Sequence, residues 1–241
     1  MNGDGVVRIV VAEGRPLYRR GLAALLRGHP GWSVVAEEDS GTGAIASTVR
    51  VHPDLVVLDL ELPRSEGIET TRQIVGAAPG VGVLVMTRFA DDRAVFEALC
   101  AGARGHLDKG AVHGEIVAAV SAVANGDAVL GPGVARLLVD FFGGRPAEGA
   151  ADCEPLTGRE HEIVNLVAAG WSTGDIAKVL VLAAPVVRAH ITAAVVKLQA
   201  AHRPEPTGLW DAADGEVTPP VVEPPRRAAP RRRGTRRGRR R

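Results

Sequence analysis

The chain has 241 residues, 46% hydrophobic but only 3% aromatic, so a core of ordinary size must be filled by Val, Leu and Ala. Of its 29 basic residues ten are arginines in segment 226–241, which has no acid; the remaining 19 stand against 28 acids over residues 1–225, a net −9 hidden inside an overall +1. Two cysteines without metal-ligand spacing fit a reducing interior, and since Met1–Gly5 lacks a basic and then apolar leader and no apolar run approaches about 18 residues, neither a secretory signal nor a spanning helix is expected. The expectation is a cytoplasmic protein with no membrane partner, in which Cys100, set in an apolar helical run, is a small buried hydrophobe.

In chain order the first strand is Arg8–Ala12, running into Glu13. Pro16 then opens a helix over 17–26 with Gly28 near its end. Trp32–Ala36 is a second strand, Gly41–Val51 a helix, and Asp54–Leu58 a third strand ending in Asp59. Gly67–Ala77 is helical and closed by Pro79-Gly80. Val81–Met86 is a strand running into Thr87, Asp91–Ala101 a helix, Gly105–Asp108 a strand running into Lys109, and Gly114–Ala124 a helix stopped by Asn125-Gly126. Five strands alternating with five helices predict a doubly wound parallel α/β domain over 1–125. A linker over 126–153 contains a short helix at 132–142 and a stretch, Gly143–Ala150, flexible by composition. Residues 154–203 read as three helices, and from Pro204 to 241 Pro, Glu, Gly and Arg dominate, which predicts disorder.

Chemistry in such a sheet collects outside the carboxyl ends of the strands. A carboxylate there, Asp59, can act as nucleophile toward a phosphoryl group. Mg²⁺ held by one or two further carboxylates and water would neutralise the oxygens, Lys109 would pair with the phosphoryl charge, and the Thr87 hydroxyl would bond an equatorial oxygen.

The runs Asp59-Leu60-Glu61-Leu62-Pro63, Leu84-Val85-Met86-Thr87 and Gly102–Lys109 resemble the receiver domain of bacterial two-component response regulators. With the helical domain behind it the chain is similar to the NarL/FixJ subfamily. The resemblance implies Asp59 as phosphoacceptor, Thr87, Lys109 and His106 as phosphoryl-sensing residues, and a sensor histidine kinase as donor. It also exposes departures. Where the family has two adjacent acids after the first strand, this chain has Glu13 and Gly14, and glycine supplies no side chain, so the resemblance leaves Mg²⁺ to Asp59, Glu13 and water, and its binding is expected to be weak. Arg15 is a candidate stand-in for the missing cation. The family's switch aromatic corresponds to His106.

In the helical domain, Thr157-Gly158-Arg159-Glu160 is a capping box, Ser172–Asp175 caps a second helix, and a third runs from Ala184 to Gln199 with Val187, Ile191, Ala194, Val195 and Leu198 inward. Two short helices and a longer third make a helix-turn-helix. Leu156–Glu160, Gly170, Ile176-Ala177, Val187–His190 and Lys197-Leu198 resemble the LuxR-type DNA-binding domain. That likeness implies Arg188, Ala189 and Thr192 facing bases, His190 and Lys197 near the backbone, and a homodimer on double-stranded DNA. Ala183 and Val186 stand where the family usually has Ser and Thr, so the third helix lacks an N-cap. Residues 152–203 carry five acids and five bases, thin for a phosphate-binding module. The arginine-rich segment either compensates through nonspecific phosphate contacts or is a solvated extension. Two rival readings stay open. One is a phosphorylation-independent interaction scaffold, the other an aspartate-nucleophile phosphohydrolase built on Asp59-Leu60-Glu61.

Overall fold

The structure, a computed structural model, describes residues 6–62, 67–88, 92–143 and 154–202. The expectations for Pro63, most of the Gly143–Ala150 stretch, Cys153, Arg203 and the segment from Pro204 onward fall outside the described residues.

Five parallel strands, β1 (Val7–Ala12), β2 (Trp32–Glu38), β3 (Leu55–Asp59), β4 (Gly82–Thr87) and β5 (Gly105–Asp108), form one sheet in the order β2-β1-β3-β4-β5. Every residue of β3 and β4 is buried, as apolar strands covered by helices on both faces require. The connecting helices are α1 (Pro16–Arg27), α2 (Gly41–Val51), α3 (Gly67–Ala77), α4 (Asp92–Cys100) and α5 (His113–Ala124). Local chemistry starts and stops them. Pro16 occupies the first turn of α1, the Ser40 hydroxyl accepts from the Gly43 amide at the start of α2, and Gly126 after α5 adopts φ +87°. Gly67 opens α3 against the Leu60 backbone, where a Cβ would lie 2.6 Å from Leu60 Cα. Burial pushes the Cys100 thiol up to about 12, so it stays protonated and unreactive.

The helix expected as a linker, α6 (Pro132–Gly143), is a packed element. Val134, Ala135 and Leu138 are buried, and α6 lies against both α4 and α7 (Gly158–Ala168). One apolar cluster therefore runs from Val85 and Leu99 of the α/β domain through Leu138 to Ile163, Ile191 and Leu198 of the helical domain. Phe96 of α4 sits 6.1 Å from Phe141 of α6, and both rings approach His202. The helical domain is completed by α8 (Thr173–Val179) and α9 (Ala184–Ala201). Thr157 and Glu160 cap α7 reciprocally and Ser172 caps α8, whereas α9 begins at Ala183 with no side-chain cap. A missing cap costs about 1 kcal/mol, and Pro185 in the first turn partly offsets it by presetting φ.

Candidate functional site

The carboxyl ends of β1, β3, β4 and β5 converge, because parallel pairing in register brings Ala12 beside Leu58, Asp59 beside Met86 and Thr87 beside Asp108. Lys109 Nζ lies 2.8 Å from Glu13 Oε2 and 2.7 Å from Asp59 Oδ2, and all three side chains are at most 4% exposed. The ammonium also sits 5.5 Å from the centroid of the Tyr18 ring, whose hydroxyl donates to the Lys109 carbonyl at 3.0 Å. The outer rim is Glu61, paired at 3.5 Å with both Arg15 and Arg88. Burial raises the Asp59 carboxyl above the ordinary range, and neighbouring Glu13 adds to this. The hydrogen bonds from Lys109 and the Glu61 amide work against the rise.

Sequence reasoning named Glu13, Asp59 and Lys109, and they do meet. Tyr18 and Arg88 were missed, and Glu61 entered only through the phosphohydrolase rival. Thr87 is buried at the end of β4, and its Oγ1 lies 2.8 Å from His106 Nε2, a hydrogen bond whose donor depends on the imidazole tautomer. Burial lowers the His106 imidazole below 6.5, outweighing Asp108 and Asp92, which pull it up. Below 6.5 the unfolded chain therefore binds more protons at this residue than the folded one, so its contribution to stability falls as pH drops. The melting temperature should fall from about pH 7.5 to about pH 5.5, and less so in His106→Phe. An equal fall in both proteins would remove His106 from the account.

The donor set does not fit the Mg²⁺ expected here. Glu13 Oε1 accepts from the Arg15 amide and Asp59 Oδ1 from the Glu61 amide, both at 2.9 Å, while the other two oxygens hold Lys109. Gly14 adds no side-chain oxygen, and among the described residues no group of three His, Cys, Asp or Glu is arranged to hold a metal ion. A hard cation would have to expel a buried ammonium from between its two carboxylates.

The second candidate surface is α9. Ala189 is exposed and His190 half-buried. Arg188 and Thr192, both half-buried, are bonded to the segment after α5: Arg188 Nε donates to Asp127 Oδ2 at 2.7 Å, and the Ala128 amide donates to Thr192 Oγ1 at 2.8 Å. Further along the helix, Gln199 Nε2 donates to the Ala103 carbonyl. Asp127 follows α5 directly, and no sequence signal marked it. Lys197, expected near a nucleic-acid backbone, is 12% exposed and pairs with Glu160 at 2.9 Å and Glu154 at 3.1 Å. The Glu160 hydrogen bond holds its ammonium above the usual range. In this arrangement Lys197 pins α9 to the start of α7.

Comparison with known proteins agrees with this architecture. The response regulator receiver domain family matches residues 9–121, and the bacterial regulatory proteins of the luxR family match residues 154–208. An uncharacterised transcriptional regulatory protein of Bacillus subtilis, YxjL, is 30% identical over 205 residues, which span 84% of this chain and 94% of that protein. The B. subtilis transcriptional regulatory protein LiaR is 31% identical over 198 residues, covering 82% and 93%. A LuxR-family two-component response regulator from Aurantimonas sp. superposes with a TM-score of 0.52 at 32% identity, over 54% of this chain and 94% of that one. RcsB of Salmonella typhimurium, at 22% identity and TM-score 0.51, shares the fold over 80% of this chain and 92% of its own. The chain belongs to the two-component response regulators that join a receiver domain to a LuxR-type helix-turn-helix.

Proposed function

We propose that this regulator reads duplex DNA through α9, using Arg188, Ala189 and Thr192 on bases with His190 beside the backbone, and that its receiver holds α9 in a non-reading state. The observation that carries the reading is that Arg188 and Thr192 are both bonded to the start of the linker, at Asp127 and Ala128, a segment that Val129 ties to the receiver through its bridge to Gly105 at the start of β5. A base edge and the receiver compete for the same two side chains, so anything that separates the domains releases the reading surface. Footprinting of genomic fragments with the full chain, against Arg188→Ala, tests the DNA reading; protection that survives the substitution unchanged would defeat it. A family of transcription regulators argues against catalytic turnover, and neither rival reading is favoured.

Receiver domains generally bind Mg²⁺ for phosphorylation. Here the conventional input is proposed to be weak. Asp59 would be the phosphoacceptor and a sensor histidine kinase the donor, but one Asp59 oxygen holds Lys109, the other accepts from the Glu61 amide, and the Thr87 hydroxyl is bonded to His106. Incubation with acetyl phosphate and Mg²⁺, followed by intact-mass measurement, should leave most of the protein unmodified. Rapid stoichiometric addition of one phosphoryl group would overturn this.

A homodimer is proposed on the α1–α5 face. Exposed Leu17 lines a cavity of about 520 Å³ with Leu22 and Leu25 of α1, with Ala111, and with Ile116 of α5, an apolar surface suited to a second copy of the chain. Among the described residues no single helix is long and apolar enough to cross a membrane. The site of action proposed for this DNA-binding role is the cytoplasm.

A further inference from the structure

We propose that the arginine-rich segment 226–241 is a second, sequence-independent DNA contact that supplies the phosphate-binding charge the output domain lacks. The proposal rests on the DNA-binding reading above and adds where the electrostatic part of the affinity resides.

The described part of the output domain, residues 154–202, contains four Lys or Arg side chains: Arg159, Lys178, Arg188 and Lys197. Each is ion-paired within the chain. Arg159 pairs with Glu162, Lys178 with Asp175 at 3.1 Å, Arg188 with Asp127 at 2.7 Å, and Lys197 with Glu160 and Glu154. Affinity for a nucleic-acid backbone grows with the number of phosphates neutralised by cations, each releasing a condensed counterion. A cation that holds a carboxylate of its own domain, as Arg159, Lys178 and Lys197 do, exchanges one anion for another and leaves the displaced carboxylate facing the phosphates, while Arg188 is taken up by base edges in the reading above. These four side chains are therefore poor sources of that term. The long-range field opposes binding as well, since residues 1–225 carry 19 basic and 28 acidic side chains.

Segment 226–241 has the complementary composition: ten arginines, no acid, and only Ala, Pro, Gly and Thr between them. No carboxylate within the segment competes for the guanidinium groups, which match phosphate oxygens two at a time. The 23 residues between His202 at the end of α9 and Arg226 can span at most about 80 Å, enough to reach phosphates beside a bound output domain. The partner is the phosphodiester backbone of duplex DNA. The chain's own acidic body is the competing occupant.

The test compares three proteins by fluorescence anisotropy, on a footprinted target and on a scrambled duplex, from about 50 to about 200 mM NaCl. They are the full chain, a chain ending at Pro225, and a full-length version with all ten arginines changed to Ser. If half to all of the arginines each meet a phosphate, the full chain's slope of log affinity against log salt is steeper by about 5 to 9. Its advantage over the shortened chain then shrinks by roughly 10³- to 10⁵-fold across that range, on both duplexes. The Ser version should behave as the shortened chain. Equal affinity and slope in full and shortened chains would overturn the proposal. So would tighter binding by the shortened chain, which would put the segment on the acidic body. If both chains protect the target in an Arg188-dependent way without a difference in slope, only this inference falls. If neither binds any duplex, it falls together with the DNA reading.

Discussion

Lys109→Met is expected to cost about 3 to 5 kcal/mol of folding stability, the penalty for removing one partner of a buried ion pair and leaving charge uncompensated. Here the penalty lies at the upper end, because two carboxylates, Glu13 and Asp59, lose the same ammonium at 2.8 and 2.7 Å. Methionine fills a similar volume and keeps contact with Tyr18, so little of the loss comes from packing. For a folded region of about 200 residues this corresponds to roughly 6 to 20 °C in melting temperature. The cause is separable from a general intolerance at the site. Adding Glu13→Gln and Asp59→Asn to Lys109→Met removes all three charges, and this triple variant should regain most of the loss, since replacing a complete buried ion cluster by neutral groups is often close to neutral. Thermal unfolding followed by circular dichroism decides. A single variant melting within about 2 °C of the parent, or a triple variant no better than the single, would show that the cluster is not held by charge.

The strands were readable because β1, β3 and β4 are buried on both faces and leave unbroken apolar runs. The edge strand β2 was underestimated by two residues. Glu37 and Glu38 continue the pairing with Val11 and Ala12, which an edge tolerates because one side of the strand meets solvent. Glu13, Asp59 and Lys109 could be placed from sequence for the same reason as the strands: each is the first polar group after a buried run. What surrounds them could not be read this way. Tyr18 sits one helical turn into α1, and Arg88 follows the site residue Thr87, so neither carries a pattern of its own. Lys197 was assigned by motif to a nucleic-acid backbone, but Glu160, 37 residues earlier, holds it in a contact visible only once α7 and α9 pack. Asp127 likewise meets Arg188 across 61 residues. The linker helix was legible as a helix yet not as a wedge, because its apolar face is the same whether it meets solvent-excluding neighbours or a partner protein.

Asp127→Ala should tighten DNA binding and Arg188→Ala should weaken it, and the pair together distinguishes a latch from a structural contact. Arg188 can donate two bonds to guanine, a contact worth about 1 to 3 kcal/mol, so its loss should weaken binding to the target by roughly 5- to 150-fold while leaving a scrambled duplex nearly unaffected. The gain from Asp127→Ala is smaller. The Arg188 and Asp127 side chains are 37% and 26% exposed, so solvent screens the ion pair to about 0.2 to 1 kcal/mol, at most about a fivefold gain. Thr192→Val removes the acceptor for the Ala128 amide but also the hydroxyl assigned to bases, so it should not add to that gain. The gain also has a ceiling: freeing the domains cannot raise affinity beyond the ratio of closed to open molecules in the free protein. In an Arg188→Ala background the Asp127 substitution should have no further effect through this pair, because the partner it would release is gone. Binding isotherms on the target duplex for the four proteins of this cycle give the answer. If Asp127→Ala weakens binding, or strengthens it equally with and without Arg188, the contact is not a restraint on the reading helix.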